Sequence, residues 1–378
     1  MSTPSSPAAL LLSRSVDEGT IPGGVIALGH DPEPIAAGRM SVGGPPMPAD
    51  AIFRIQSMTK LVTTVAALRL VEQRVLALDA PVADWLPELA APEVLTRPDA
   101  ELTDTEPLRT PLTLRHLLTN TSGYGMILQD CPLARAMTAT GTEAGPLPPT
   151  LGADDWIAAL TSLPLVGQPG TVWRYHHSFG LLGILLSRIS GTSTGAYLEQ
   201  TLLGPLGMRD TGYFVPHEKL DRLPAAYAEE GTGLVEIEPA GGGFHAGPPP
   251  YDMSHSELLS TAGDYLRLLR ALRDGELLSD EHLGMLRSDQ VPQEAKTPES
   301  FFPGFWERTS WGFGLAVVTD GPHRGRCSWS GGAGTDYFLD PDGTLGLLLT
   351  QVPMGDRLAP LLEAYGELAP PPGADPAS

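Results

Sequence analysis

Short apolar runs at the two ends of the chain, with helix-period patterns between them, most constrain what it can fold into. Residues 24–28 and 35–37 read as strands bounded by Gly and Pro, and after Trp311 the same pattern returns at 314–318, 337–339 and 345–349. The middle is different. Leu61, Val62, Val65 and Leu68 recur at helical spacing, and 112–118, 180–189 (closed by Gly191) and 257–272 read as further helices, with 10–16 and 358–368 adding one at each end. Strands from the two termini must then find one another across a helical middle. The expected fold class is α+β: an antiparallel sheet formed from both chain ends and flanked by helices, with a mostly helical inserted lobe and a cleft between them. The expected boundaries are 1–56 with 311–378 for the sheet lobe and 57–310 for the helical lobe, forming one unit overall. The proline-bearing stretches 92–111 and 138–149 read as long surface excursions, and 370–378 as a disordered tail.

A chain of 378 residues can bury a large core. Acidic residues outnumber basic ones by 45 to 24, and the net charge of −21 repels phosphate backbones and anionic lipid, so neither nucleic acid nor a membrane is expected as a partner. Cys131 and Cys327 lie far apart and outside any metal-ligand spacing, which predicts two free thiols in a reducing compartment. His176, His177, His245 and His255 fit no common ligand spacing either, so no metal or other cofactor is expected. The stretch from Met1 to Arg14 has no charged start, long apolar run or cleavage site of a secretory signal, and the expected location is cytoplasmic. The oligomeric state is left open.

Chemistry concentrates at Ser57-Met58-Thr59-Lys60. Residues three apart on a helix face the same way, so this spacing sets an amine beside a hydroxyl at the start of an apolar helix. A neutral lysine there can take the serine proton and make the oxygen a usable nucleophile. Lysine is rare in this chain, found at positions 60, 219 and 296 while arginine supplies the other basic residues. Arginine keeps its proton under any protein condition, whereas buried lysine can lose it. Tyr175, in Trp173-Arg174-Tyr175-His176-His177, can relay a proton beside such an amine. Trp329-Ser330-Gly331-Gly332 leads to Gly334-Thr335, a glycine-dense edge where backbone amides can approach a ligand.

These segments resemble the serine β-lactamase and penicillin-binding-protein superfamily and, within it, the family VIII carboxylesterases that share the class C β-lactamase fold. The likeness runs through Phe53-Arg54-Ile55-Gln56-Ser57-Met58-Thr59-Lys60, Leu114-Arg115-His116-Leu117-Leu118-Thr119-Asn120-Thr121-Ser122-Gly123, Pro169-Gly170-Thr171-Val172-Trp173-Arg174-Tyr175, Pro205-Leu206-Gly207-Met208-Arg209-Asp210-Thr211, Ser260-Thr261-Ala262-Gly263-Asp264-Tyr265 and the segment from Trp329 to Pro341. It implies a serine hydrolase with Ser57 as nucleophile, Lys60 as proton acceptor and Tyr175 as acid–base residue; which of the last two deprotonates Ser57 is left open. It also implies an oxyanion hole from the backbone amides of Ser57 and Gly332. β-Lactamases and D-alanyl peptidases carry Lys or His where Trp329 stands, so the implied substrate is an uncharged carboxylic ester, with amides, β-lactams, D-peptides or acyl transfer as the alternative, and a binding protein without turnover as a third reading. Substrate contacts are expected from Trp329, Gly331, His177 (in the place of the family's Asn) and Tyr124. Ser254-His255-Ser256-Glu257, where relatives carry a glycine run, has no assigned role.

Overall fold

The computed structural model describes residues 6–145 and 148–370, so the expected tail, Pro370 apart, lies outside the described residues. Seven strands build the main sheet: β1 (Gly23–Gly29), β2 (Ile35–Gly38), β3 (Thr309–Trp311), β4 (Ala316–Val318), β5 (Cys327–Gly331), β6 (Thr335–Leu339) and β7 (Leu345–Thr350). Their order is β2-β1-β7-β6-β5-β4-β3, antiparallel throughout, so the two ends of the chain meet where β1 pairs with β7, Val25 opposite Leu349. The α+β expectation holds, because these short apolar runs can satisfy their backbone groups only against one another.

Side chains alternate across this sheet with period two. Val25, Ala27, Leu347 and Leu349 face the large core, whereas Ile26 and Leu348 face a smaller one under α1 (Pro7–Asp17) and the C-terminal helix Ala359–Glu367. Ser6 caps α1, its hydroxyl accepting from the Ala9 amide at 3.2 Å, with Pro7 at the first helical position. The large core belongs to α2 (Thr59–Glu72) and α3 (His177–Ser190), the latter stopped by Gly191 at a φ of 68°. From Thr59 to Leu68 every residue of α2 is buried, as a helix apolar nearly all round requires.

One expected helix starts later than its pattern suggested. Instead of beginning at Glu257, α4 spans Ala262–Arg273, with Thr261 accepting from the Asp264 amide at 3.1 Å as its cap. The residues before it are claimed by a competing pairing: Leu259–Ser260 forms a two-residue antiparallel ladder with Phe53–Arg54, and the Ile55 amide donates to the Leu258 carbonyl at 3.1 Å. That pairing draws the whole stretch from Ser254 to Leu258 onto α2, where the Thr59 hydroxyl accepts from the Leu258 amide at 3.1 Å and the Thr63 hydroxyl donates to the Ser254 carbonyl. The stretch 92–111 is also less irregular than expected, since Val94–Leu95 pairs with Thr105–Glu106.

Candidate active site

The strand Phe53–Arg54 ends in a single turn, Gln56–Met58, that feeds straight into α2. Gln56 holds a left-handed φ of 47°, an unfavourable conformation for a side-chain-bearing residue, and the following Ser57 is thereby turned out at the helix start. One helical turn on, the Lys60 Nζ donates to Ser57 Oγ at 3.2 Å and to the His255 carbonyl at 2.6 Å, and lies 4.4 Å from the Tyr175 ring centroid. Lys60 is fully enclosed, with 0% exposure. Burial therefore holds its ammonium well below the usual lysine range, and no carboxylate stands among its described partners to oppose that shift. Burial thus favours the neutral amine here more than at an exposed lysine.

Tyr175 arrives from the other side, just before α3. Its hydroxyl accepts from the Trp329 indole N–H at 2.6 Å, and Trp329 sits on β5, so sheet and helices each contribute one member. Burial raises the Tyr175 phenol above its ordinary value, with contacts to Ser57 and Trp329 pulling the other way. The phenol keeps its proton at neutral pH.

Gly331 ends β5 directly against the Ser57 turn. A Cβ there would lie 2.4 Å from the Ile55 carbonyl oxygen and 2.3 Å from the Thr335 hydroxyl, so glycine is needed for the two segments to approach this closely. The approach brings Gly332 to the wall of the Ser57 cavity, which encloses about 440 Å³. Phe301, Phe302, Phe305, Trp329, Met126 and Met354 make that wall largely apolar, with Gln56, His176 and Ser256 as polar neighbours. Phe301 stacks on Trp329 at 6.1 Å, and Trp311 meets it edge-on at 4.7 Å, which fixes the indole.

A family description, Beta-lactamase, matches residues 9–357. The chain belongs to the Beta-lactamase family. Protein Rv1367c of Mycobacterium tuberculosis is 37% identical over 322 residues, covering 81% of this chain and 78% of that protein. Esterase EstB of Burkholderia gladioli is 33% identical over 331 residues, covering 81% of this chain and 78% of its own length. Among solved structures, EstCE1, a hydrolase with promiscuous acyltransferase activity, superposes with a TM-score of 0.78 at 26% identity over 95% of this chain and 96% of that one.

In this member of the Beta-lactamase family, Ser57, Lys60, Tyr175, Trp329 and Gly332 converge, but three expected contacts do not line the cavity: Gly331, pressed against Ile55 and Thr335, and also Tyr124 and His177. Tyr124 is 4% exposed and stands in a separate small cavity with Gly123 and Leu160, because the Ser122–Gly125 turn points its ring into the core. His177 occupies the first turn of α3, where its Nε2 is paired with the Thr142 carbonyl at 2.6 Å and burial holds its imidazolium down to about 4. The ring that reaches the cavity is its neighbour His176, at a strained φ of 98°, its ring tilted 39° against that of His255 with centroids 3.7 Å apart. His176 and His255 are both held well below the usual imidazole range, chiefly by burial. Sequence reasoning missed His176, the His255 carbonyl that accepts from Lys60, and the Phe301–Phe305 aromatics. The cluster Phe301-Phe302-Pro303-Gly304-Phe305-Trp306 was visible as an aromatic run, but its position opposite Ser57 arises only in three dimensions.

His245 lies apart from His176, His177 and His255 and pairs with Glu257 at 3.2 Å. Both cysteines are free and buried. No helix of the described residues is long and apolar enough to cross a membrane.

Proposed function

We propose that this chain is a serine hydrolase that cleaves uncharged carboxylic esters through an acyl-enzyme on Ser57. The observation that carries the reading is the fully enclosed Lys60 amine 3.2 Å from Ser57 Oγ, whose charged form burial disfavours. Ser57 Oγ attacks the ester carbonyl carbon as its proton passes to Lys60 Nζ, and the amides of Ser57 and Gly332 receive the developing oxyanion. Collapse breaks the bond to the alkoxide, which takes the Tyr175 proton, and Lys60 returns a proton to Tyr175. Water then attacks the acyl carbon, giving up its proton through the same pair, and Ser57 is released with the free acid. No cofactor enters any step.

Substrate class follows from the wall. Trp329 offers an indole face and a single N–H already committed to Tyr175, so nothing on β5 recognises a substrate carboxylate, and the phenylalanines favour an apolar acyl or alcohol group. The esterase name of EstB is in keeping with this. A cavity so apolar also admits an alcohol in place of water, which favours acyl transfer as a second reading, as the description of EstCE1 does for that protein.

Nitrophenyl butyrate hydrolysis by wild type and Ser57→Ala, each checked for native circular dichroism, tests the proposal: turnover should fall by at least about a thousandfold. A serine-reactive phosphonate should add to the wild type and not to the variant. Full activity in folded Ser57→Ala, or faster turnover of a chromogenic cephalosporin than of the ester, overturns it.

A further inference from the structure

We propose that the cavity beside Cys131 is an anion subsite in which Arg174 grips the carboxylate of a small organic acid. Among the described residues three arginines are less than a tenth exposed: Arg54, Arg174 and Arg326. Arg54 is paired with Glu238, and Arg326 is clamped by Asp340 at 2.7 and 2.9 Å. Arg174, 7% exposed, has no such partner among the described residues; the one hydrogen bond of its guanidinium to them runs to the carbonyl of adjacent Trp173 at 3.0 Å. A buried guanidinium without a carboxylate is costly, and its spare N–H groups form a fork suited to one.

The space it borders is large enough to supply that carboxylate from outside. A cavity of about 400 Å³ is lined by Arg174 with Cys131, Ile127, Val166, Val172 and the exposed Glu299. Asp99 and Asp130 reach the same wall, but each is already paired, with Arg97 at 3.0 Å and Arg135 at 2.6 Å. These acids make the rim hostile to a dianion such as phosphate, whereas a monoanion with an apolar body can pair with Arg174 and lie against the aliphatic side chains. Glu299 is the internal competitor, near enough for its charge to favour the guanidinium, but not within ion-pair distance.

The cavity stands one residue behind the catalytic wall. Ile127, Arg174 and Glu299 are close in the chain to Met126, Tyr175 and Phe301, which line the Ser57 cavity. The inference does not depend on the ester reading, because Arg174 and its cavity stand whatever Ser57 does.

Cys131 provides a reporter within the cavity. Iodoacetate and iodoacetamide both alkylate a thiolate, the sulfur forming a thioether as iodide leaves, and they differ in that one carries a carboxylate. In the full-length protein, peptide mass mapping should show Cys131 reacting faster with iodoacetate, and hexanoate should protect it. In Arg174→Gln both effects should weaken by about tenfold. Cys327, 2% exposed and pushed up to about 12 by burial, is the internal control and should stay unmodified. If Arg174→Gln does not fold, Glu299→Gln serves instead and should strengthen hexanoate protection by about threefold. Equal rates with the two reagents, protection that ignores both substitutions, or a Cys131 that reacts with neither reagent, and so a cavity closed to small solutes, each overturns the proposal.

Discussion

Arg326 and Lys60 are both buried cationic side chains, but Arg326 is gripped by two oxygens of Asp340, whereas Lys60 meets one hydroxyl and one carbonyl. Around Lys60 stand Tyr175, His176, His177 and His255, and burial pushes the three histidines down, away from their charged forms. One site spends its charge on holding β5 to β6, since Arg326 adjoins Cys327 and Asp340 follows Leu339. The other leaves a lysine without a countercharge, so that burial disfavours its charged form. Ion pairing and desolvation are the two responses open to a buried cation, and a reactive amine requires the second.

The contrast is sharpest in two substitutions. Lys60→Met keeps the bulk and removes the base, so ester hydrolysis should fall by at least about a thousandfold while urea denaturation shows stability kept or raised. Asp340→Ala should do the reverse: a loss of about 3–5 kcal/mol on the same denaturation curves, because Arg326 is left buried and unpaired, with turnover per folded molecule unchanged. If the effects are exchanged, the comparison fails.

Two smaller effects refine it. Trp329→Phe deletes the N–H that meets the Tyr175 oxygen at 2.6 Å and should lower kcat about fivefold to tenfold, with KM for a short-chain ester little changed. The histidines set the response to acid. His177 is held to about 4 in the folded protein against an ordinary value near about 6.5, so between these the unfolded chain carries a proton that the folded one refuses. Its stabilising contribution is complete above about pH 6.5 and is lost as pH falls toward 4, with His176 and His255 acting in the same direction. Urea midpoints measured from pH 7 to pH 4 should therefore fall, and His177→Gln should make that fall shallower; an unchanged slope would mean that His177 is already protonated when folded.

Local chemistry made part of this site legible. Ser57 and Lys60 share a helix face through spacing alone, and the short apolar runs at 24–28 and 345–349 have a sheet as their outlet. Elsewhere local pattern was outvoted. The stretch 257–261 has helical character by itself, but Leu259 and Ser260 gain ladder bonds from Arg54 and Phe53, and the result delivers the His255 carbonyl to Lys60. Tyr124 follows Ser122-Gly123 as an aromatic at the expected place in the chain, but the turn directs its ring inward. No periodicity distinguishes His176 from His177; the strained backbone at position 176 decides which ring faces the cavity.

By itself the sequence determined that Ser57 and Lys60 meet and that the chain ends form a sheet, because a three-residue helical offset and a two-residue strand period are properties of neighbouring residues. Only the tertiary structure decided that burial disfavours the charged form of Lys60, which wall faces the Ser57 cavity, and that Arg174 is left without a carboxylate among the described residues. Each of these depends on what is absent from a shell of atoms contributed by distant segments, and desolvation is a property of that enclosure rather than of any motif.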